Sequence, residues 1–117
     1  MFSPQGPSLR ELCVQAFSSV ERGYDLLSPK FDHTPFRTPD SFLGATADAL
    51  SELGPFDHGL DVCCGTGAGM GVLRSVCQGG VTGVDFSAGM LAQARSAHPD
   101  ATWVRADARA LPFTEYF

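Results

Sequence analysis

The sequence is short of positive charge: 8 Lys and Arg stand against 13 Asp and Glu, giving a formal net charge of −5, and the basic residues are scattered singly. With no stripe of cations to neutralise a phosphate backbone, nucleic acid is not an expected partner. Long hydrophobic runs are also missing. Each apolar stretch is soon broken by Gly, Pro or charge, and the first residues show neither a basic start nor an apolar signal core. No membrane association or export signal is read, and a cytoplasmic location is expected. The four cysteines, Cys13, Cys63, Cys64 and Cys77, lack C-x-x-C spacing, and His33, His58 and His98 lack any i, i+4 partner. No metal site and no secreted disulfide framework are therefore expected, and the thiols are read as reduced and buried. Internal repeats and low-complexity segments are absent.

What remains is ordinary globular composition, 44% hydrophobic and 18% charged, unlike the charged, apolar-poor signature of disorder. At 117 residues the chain makes one domain or part of one. Met1 to Pro7 reads as a frayed start. Ser8 with Glu11 forms a capping-box pattern, and Leu9, Leu12, Cys13, Ala16, Phe17 and Val20 then recur at helical spacing before Gly23. Tyr24 to Thr38 carries two prolines and mixed charge, which suits an irregular, lid-like connection. A second helix is signalled by Thr38 as cap and Pro39 in the first turn, with Phe42, Thr46, Ala49, Leu50 and Leu53 on one face, and it ends at Gly54-Pro55. The organisation expected is residues 1–38 as an N-terminal helix and lid-like loop, followed by 39–117 as half of a nucleotide-binding domain.

From His58 the rhythm becomes strand, Gly-rich turn, helix, strand, helix, strand, the alternation that builds a parallel α/β sheet. Strands are expected at His58 to Cys64, Val81 to Asp85 and Ala101 to Ala106, with helices at Gly69 to Gln78 and Ser87 to Ala97. The fold class is therefore α/β, a three-layer parallel sheet of three strands preceded by two N-terminal helices.

The densest signal is Leu60-Asp61-Val62-Cys63-Cys64-Gly65-Thr66-Gly67-Ala68-Gly69, an apolar strand ending in a carboxylate and then a turn of small residues opening a helix. Ligands of parallel sheets sit beyond the carboxyl ends of the strands, where Gly65 and Gly67 let the backbone approach them. Asp85 closes the next strand, where a carboxylate accepts hydrogen bonds from ribose hydroxyls. The third strand ends at Asp107-Ala108, within reach of an adenine amine, and Phe86 and Met90 are positioned to sandwich the ring. Singly, strand-end aspartates often only cap the next helix, and a glycine cluster is a weak signal. Their joint spacing is what points to a site.

Leu60 to Gly67, Val81 to Ala94 and Trp103 to Phe113 resemble, in order, three motifs of the class I, Rossmann-like S-adenosylmethionine-dependent methyltransferases. The run Asp61 to Gly67 is most similar to the small-molecule methyltransferases of the ubiquinone and menaquinone biosynthesis type. This resemblance implies that S-adenosylmethionine is the cofactor and S-adenosylhomocysteine its product, and that the methyl acceptor is a small molecule. It implies Asp61 near the methionine ammonium, Cys63, Gly65, Thr66 and Gly67 along its path, Asp85 on the ribose, and Asp107 with Ala108 at the adenine. The family has Gly where this chain has Cys63. No catalytic base is implied by any residue here, because most acceptor contacts in relatives fall outside the matching region. The chain reads as the cofactor-binding front half of such a domain, with an apolar first-strand edge open to self-association.

Two other functions compete. A nicotinamide or flavin oxidoreductase requires G-x-G-x-x-G, but the third glycine falls on Met70, Val72 or Arg74 in the three possible registers. A non-catalytic binding module derived from a methyltransferase is the other.

Overall fold

The computed structural model describes residues 4–16 and 18–114. Phe17, expected on the first helix, and the first three residues of the frayed start lie outside the described residues. The order is α1 (Leu9–Ala16), α2 (Val20–Leu27), a 3₁₀ helix (Ser28–His33), α3 (Asp40–Ser51), β1 (Gly59–Val62), α4 (Met70–Val76), β2 (Val81–Asp85), α5 (Ala88–Ala97) and β3 (Thr102–Arg105). The strands form one parallel sheet in the order β1-β2-β3, with Asp61 beside Gly83 and Gly83 beside Trp103. The expected α/β class, three parallel strands and alternating helices are present.

The N-terminal region departs from expectation. The Ser8–Glu11 capping box closes in both directions, Ser8 N–H donating to Glu11 Oε2 at 2.7 Å and Glu11 N–H to Ser8 Oγ at 3.3 Å. The helix it opens, however, ends at Ala16, and Ser19 caps a new helix by accepting from Arg22 N–H. That second helix runs through Gly23 and Tyr24, where an irregular loop was expected, and continues as the 3₁₀ helix. Gly23 is buried because it lies where α1 and α2 meet: a Cβ there would come within 3.2 Å of Gln15. It serves close helix packing rather than a helix stop. Further on, Pro39 rather than Thr38 occupies the cap of α3, and Phe42 and Leu53 of its expected apolar face are exposed.

α4 packs on β1 and β2, α5 on β2 and β3, α3 on α4, and α2 with the 3₁₀ helix on α5. Alternation along the strands and the register place Gly59, Asp61, Val81, Gly83 and Trp103 on one face. This face meets α4 and α5: a Cβ on Gly59 would meet Leu73, and Trp103 donates its indole N–H to the carbonyl of His98. Met70, Val84, Met90, Leu91 and Ala94 form the centre of the core, each at most 1% exposed.

Candidate functional site

All three strands deliver a carboxylate to the same end of the sheet. β1 was expected to continue to Cys64, but it stops at Val62 because Cys63 adopts φ +61°. This is the left-handed region, which a Cβ disfavours by about 1–2 kcal/mol and which glycine occupies freely. The glycine that the resemblance implies at this position would adopt this backbone without strain. Cys63→Gly is expected to stabilise the fold by about 0.5–1 kcal/mol, since the relieved strain exceeds the entropy that glycine adds to the unfolded chain. A urea midpoint that does not rise contradicts this.

After Cys63 the turn continues through Gly65 at φ +56° and Gly67 at φ +91° into α4. Asp85, only 7% exposed, organises the turn. Its Oδ2 accepts from Gly65 N–H at 2.9 Å and its Oδ1 from Ser87 N–H at 2.9 Å. One carboxylate therefore ties the β1 turn to the β2 turn. Each of its oxygens keeps a second lone pair.

A crevice of about 300 Å³ opens at this end of the sheet, and its walls include Cys63, Asp85, Phe86, Asp107 and Ala108. These five of the expected site residues are brought together. Asp107 is engaged by Arg109, whose Nη2 lies 2.6 Å from Oδ2 and whose N–H reaches Oδ1 at 2.8 Å. The hydrogen bonds from Arg109 hold the Asp107 carboxyl down at about 2. Gly65 donates its N–H to Asp85, and Thr66 is buried with its hydroxyl donating to Asp32 Oδ1 at 2.7 Å; neither is among the crevice walls. Gly67 and Met90 are not among the crevice walls. A Cβ on Gly67 would meet Trp103 at 3.1 Å and His98 at 3.2 Å, and Met90, 1% exposed, belongs to the core.

Asp61 is half-buried, and its carboxylate accepts no hydrogen bond among the described residues. Burial, reinforced by the nearby charge of Asp85, raises its pKa above the ordinary 3.8. A Cβ on Gly69 would come within 2.7 Å of Asp61 Oδ2, so this glycine leaves room for the carboxylate. A carboxyl whose folded pKa exceeds its unfolded value favours folding while protonated. That contribution is complete below the unfolded pKa and is lost as pH rises through the folded one. Ionised Asp61 is therefore a standing cost at neutral pH. Asp61→Asn is expected to raise the thermal midpoint near neutrality and to change it little well below the ordinary Asp range. Calorimetry at the two pH values checks this, and an equal effect at both contradicts it.

The thiols do not all follow the buried expectation. Cys64 is buried and Cys77 half-buried, whereas Cys13 and Cys63 are exposed; all four are free. Burial, with the charges of Asp85 and Asp61 behind it, pushes the Cys64 thiol up to about 12, which leaves it a small hydrophobe rather than a nucleophile. No group of three or more His, Cys, Asp or Glu suited to a metal occurs among the described residues.

Residues from the N-terminal helices also reach the site. Tyr24 meets Phe86 edge to face at 5.9 Å, and Asp25 Oδ1 accepts from Ser87 Oγ at 2.5 Å and from Gly89 N–H at 2.9 Å. Neither Tyr24 nor Asp25 was among the expected site residues, since packing of Tyr24 under the connecting loop was an equally good reading of the pair. Asp32 had no local signal at all.

A parallel sheet with converging strand-end carboxylates and a glycine-rich β1 turn defines a nucleotide-type crevice of the Rossmann-like class. Comparison with known proteins carries this further. A family model described as a methyltransferase domain matches residues 60–117. The chain is 33% identical to a 2-phytyl-1,4-naphtoquinone methyltransferase of Synechocystis sp. (strain ATCC 27184 / PCC 6803 / Kazusa), over 83% of this chain and 45% of that relative. Among solved structures, Streptomyces venezuelae DesVI aligns with a TM-score of 0.57 and 28% identity, over 67% of this chain and 35% of that one. S-adenosylmethionine-bound CalS10, an amino pentose methyltransferase from Micromonospora echinaspora, shares the fold with a TM-score of 0.58 and 20% identity, over 100% of this chain and 42% of that one. The family match and the solved neighbours are those of S-adenosylmethionine-dependent class I methyltransferases. It spans less than half the length of the relatives it matches. No helix among the described residues is long and apolar enough to cross a membrane.

Proposed function

We propose that this chain is the cofactor-binding half of a methyltransferase that moves the methyl of S-adenosylmethionine directly onto a small-molecule acceptor in the cytoplasm. The carrying observation is the pair of carboxylates at the β1 and β2 ends. Asp61, which stands outside the crevice walls, accepts no hydrogen bond among the described residues and carries a carboxylate whose pKa is raised by burial, which fits an ammonium group as its partner. Asp85 lines the crevice with one lone pair free on each oxygen, which fits a ribose diol. When bound, the cofactor supplies the sulfonium methyl as electrophile. The chain's own residues bind and orient it: Asp61 on the ammonium, Asp85 on the hydroxyls, Phe86 against the ring, and Asp107 with the Ala108 backbone at the adenine edge. Asp107 can take that role only as Arg109 turns aside. Rate then comes chiefly from positioning, and no residue here is assigned as a base.

The naphthoquinone relative favours a quinol-type acceptor. We divide the chain into residues 1–38, which contribute the helices over the site, and 39–117, which contribute the nucleotide-binding half. The open edge of β1 is the surface offered for self-association. Isothermal titration of the chain with S-adenosylhomocysteine and, separately, NAD⁺ tests the reading. Heat from the first ligand alone is expected; binding of NAD⁺ instead would return the dinucleotide oxidoreductase.

A further inference from the structure

The segment from α2 through the 3₁₀ helix places one acidic residue against the end of each strand or the turn after it. Asp32 accepts from the Thr66 hydroxyl in the turn after β1. Asp25 accepts from Ser87 Oγ and Gly89 N–H in the turn after β2. Glu21 pairs with Arg105 at the end of β3, and the same arginine donates through Nε to the carbonyl of Phe86 at 3.0 Å. The first two partners belong to separate turns, which Asp85 also ties together. Contact is close as well: a Cβ on Gly89 would fall 2.6 Å from Ser28 Oγ and 2.9 Å from the Asp25 Cα.

The bonds connect directly to the crevice. Ser87 donates its hydroxyl to Asp25, accepts from Met90 N–H at 3.1 Å, and gives its own N–H to Asp85 Oδ1. Asp25 thus fixes the turn whose amide orients Asp85, while Asp85 in turn holds Gly65. Phe86 is contacted at its ring by Tyr24 and at its backbone carbonyl by Arg105.

We propose that residues 20–33 form an acidic clasp, with Asp25 and Asp32 as positioning residues that lock the strand-end loops in the arrangement that receives the adenosyl ligand. The clasp and the ligand then stabilise each other, because each favours the same loop arrangement and coupling between sites is reciprocal. This proposal rests on the crevice being the cofactor site.

Amide hydrogen exchange of the full chain, with and without S-adenosylhomocysteine, tests it alongside titration. In the parent the ligand slows exchange across residues 20–33, which are not among the crevice walls. In Asp25→Ala the ligand binds about tenfold more weakly, within the usual range for coupled sites, and that protection disappears. Asp25→Asn, which keeps an acceptor oxygen, recovers most of both. If Asp25→Ala does not fold, Asp32→Ala on the exposed 3₁₀ surface serves, with the same two effects expected. Equal exchange changes with and without ligand, at unaltered affinity, overturn the clasp as a positioning device. If the parent shows no response to S-adenosylhomocysteine, the proposed function fails instead. The clasp is then decided by the ligand-free chain: either variant speeds the Gly65 amide, which neither residue hydrogen-bonds, or the clasp is wrong.

Discussion

Asp85→Ala is expected to remove measurable binding of S-adenosylhomocysteine and to lower the thermal midpoint of the ligand-free chain. The two effects have one origin. The carboxylate, 7% exposed, accepts both Gly65 N–H and Ser87 N–H, and removing it leaves two backbone donors without partners at the base of the crevice. An unsatisfied buried donor costs about 1–3 kcal/mol, so a loss of about 5–15 °C is expected in a domain of this size. Ligand binding falls further than a lost ribose contact alone implies, because the Gly65 turn is released as well. Differential scanning fluorimetry and titration check the pair. An unchanged midpoint with lost binding would make Asp85 a ligand contact only, and unchanged binding would remove it from the site.

Gly67→Val is expected to be the most damaging single change in the β1 turn. At φ +91° any side chain is strained, and the Cβ position is already 3.1 Å from Trp103, 3.2 Å from His98 and 3.4 Å from Ala94. A left-handed backbone penalty of about 1–2 kcal/mol adds to about 1–3 kcal/mol for overpacking, a large share of a small domain's stability. Gly65→Ala provides the contrast. Its φ is +56°, but no atom lies within 4 Å of the new Cβ, so only the backbone penalty applies. Urea denaturation should rank valine at 67 well below alanine at 65, and comparable losses contradict the packing explanation.

These two glycines show how far the sequence could be read. Both were recognisable as turn residues, yet spacing alone suggested that both faced a ligand. A Cβ on Gly67 would meet Trp103 and His98, residues about 30 positions away that reach it only once β3 and α5 are packed, so packing also requires a glycine there. The β2 strand and α5 were legible throughout because their signals are local: an apolar run ending in Asp85, and Ser87 capping Met90 N–H. Cys63 could be noticed as a departure from its relatives, but its φ of +61° required coordinates. The break between α1 and α2 was misread because Gly23 looks like a helix stop in one dimension. In three dimensions it allows α2 to approach Gln15. The three acidic contacts of the N-terminal segment span 34 to 84 residues along the chain, beyond the reach of any periodicity.

Asp61 illustrates a different limit. Its place at a strand end was plain from sequence, but its lack of a donor and its raised pKa depend on burial beside Asp85. An ionised carboxylate left unpaired lowers stability, and a ligand ammonium is the group that would relieve it. Sites that bind ligands commonly carry such a cost in the ligand-free state.

The central claim is that the strand-end crevice holds the adenosyl cofactor, and amide chemical-shift mapping of the labelled chain on addition of S-adenosylhomocysteine tests it most directly. The account predicts saturable shifts centred on Gly65, Asp85 to Ser87, and Asp107 to Ala108. Shifts confined to the separate cavity between α1 and α2, lined by Arg10, Val14, Leu26 and Lys30, or no shifts from a folded chain, would contradict it.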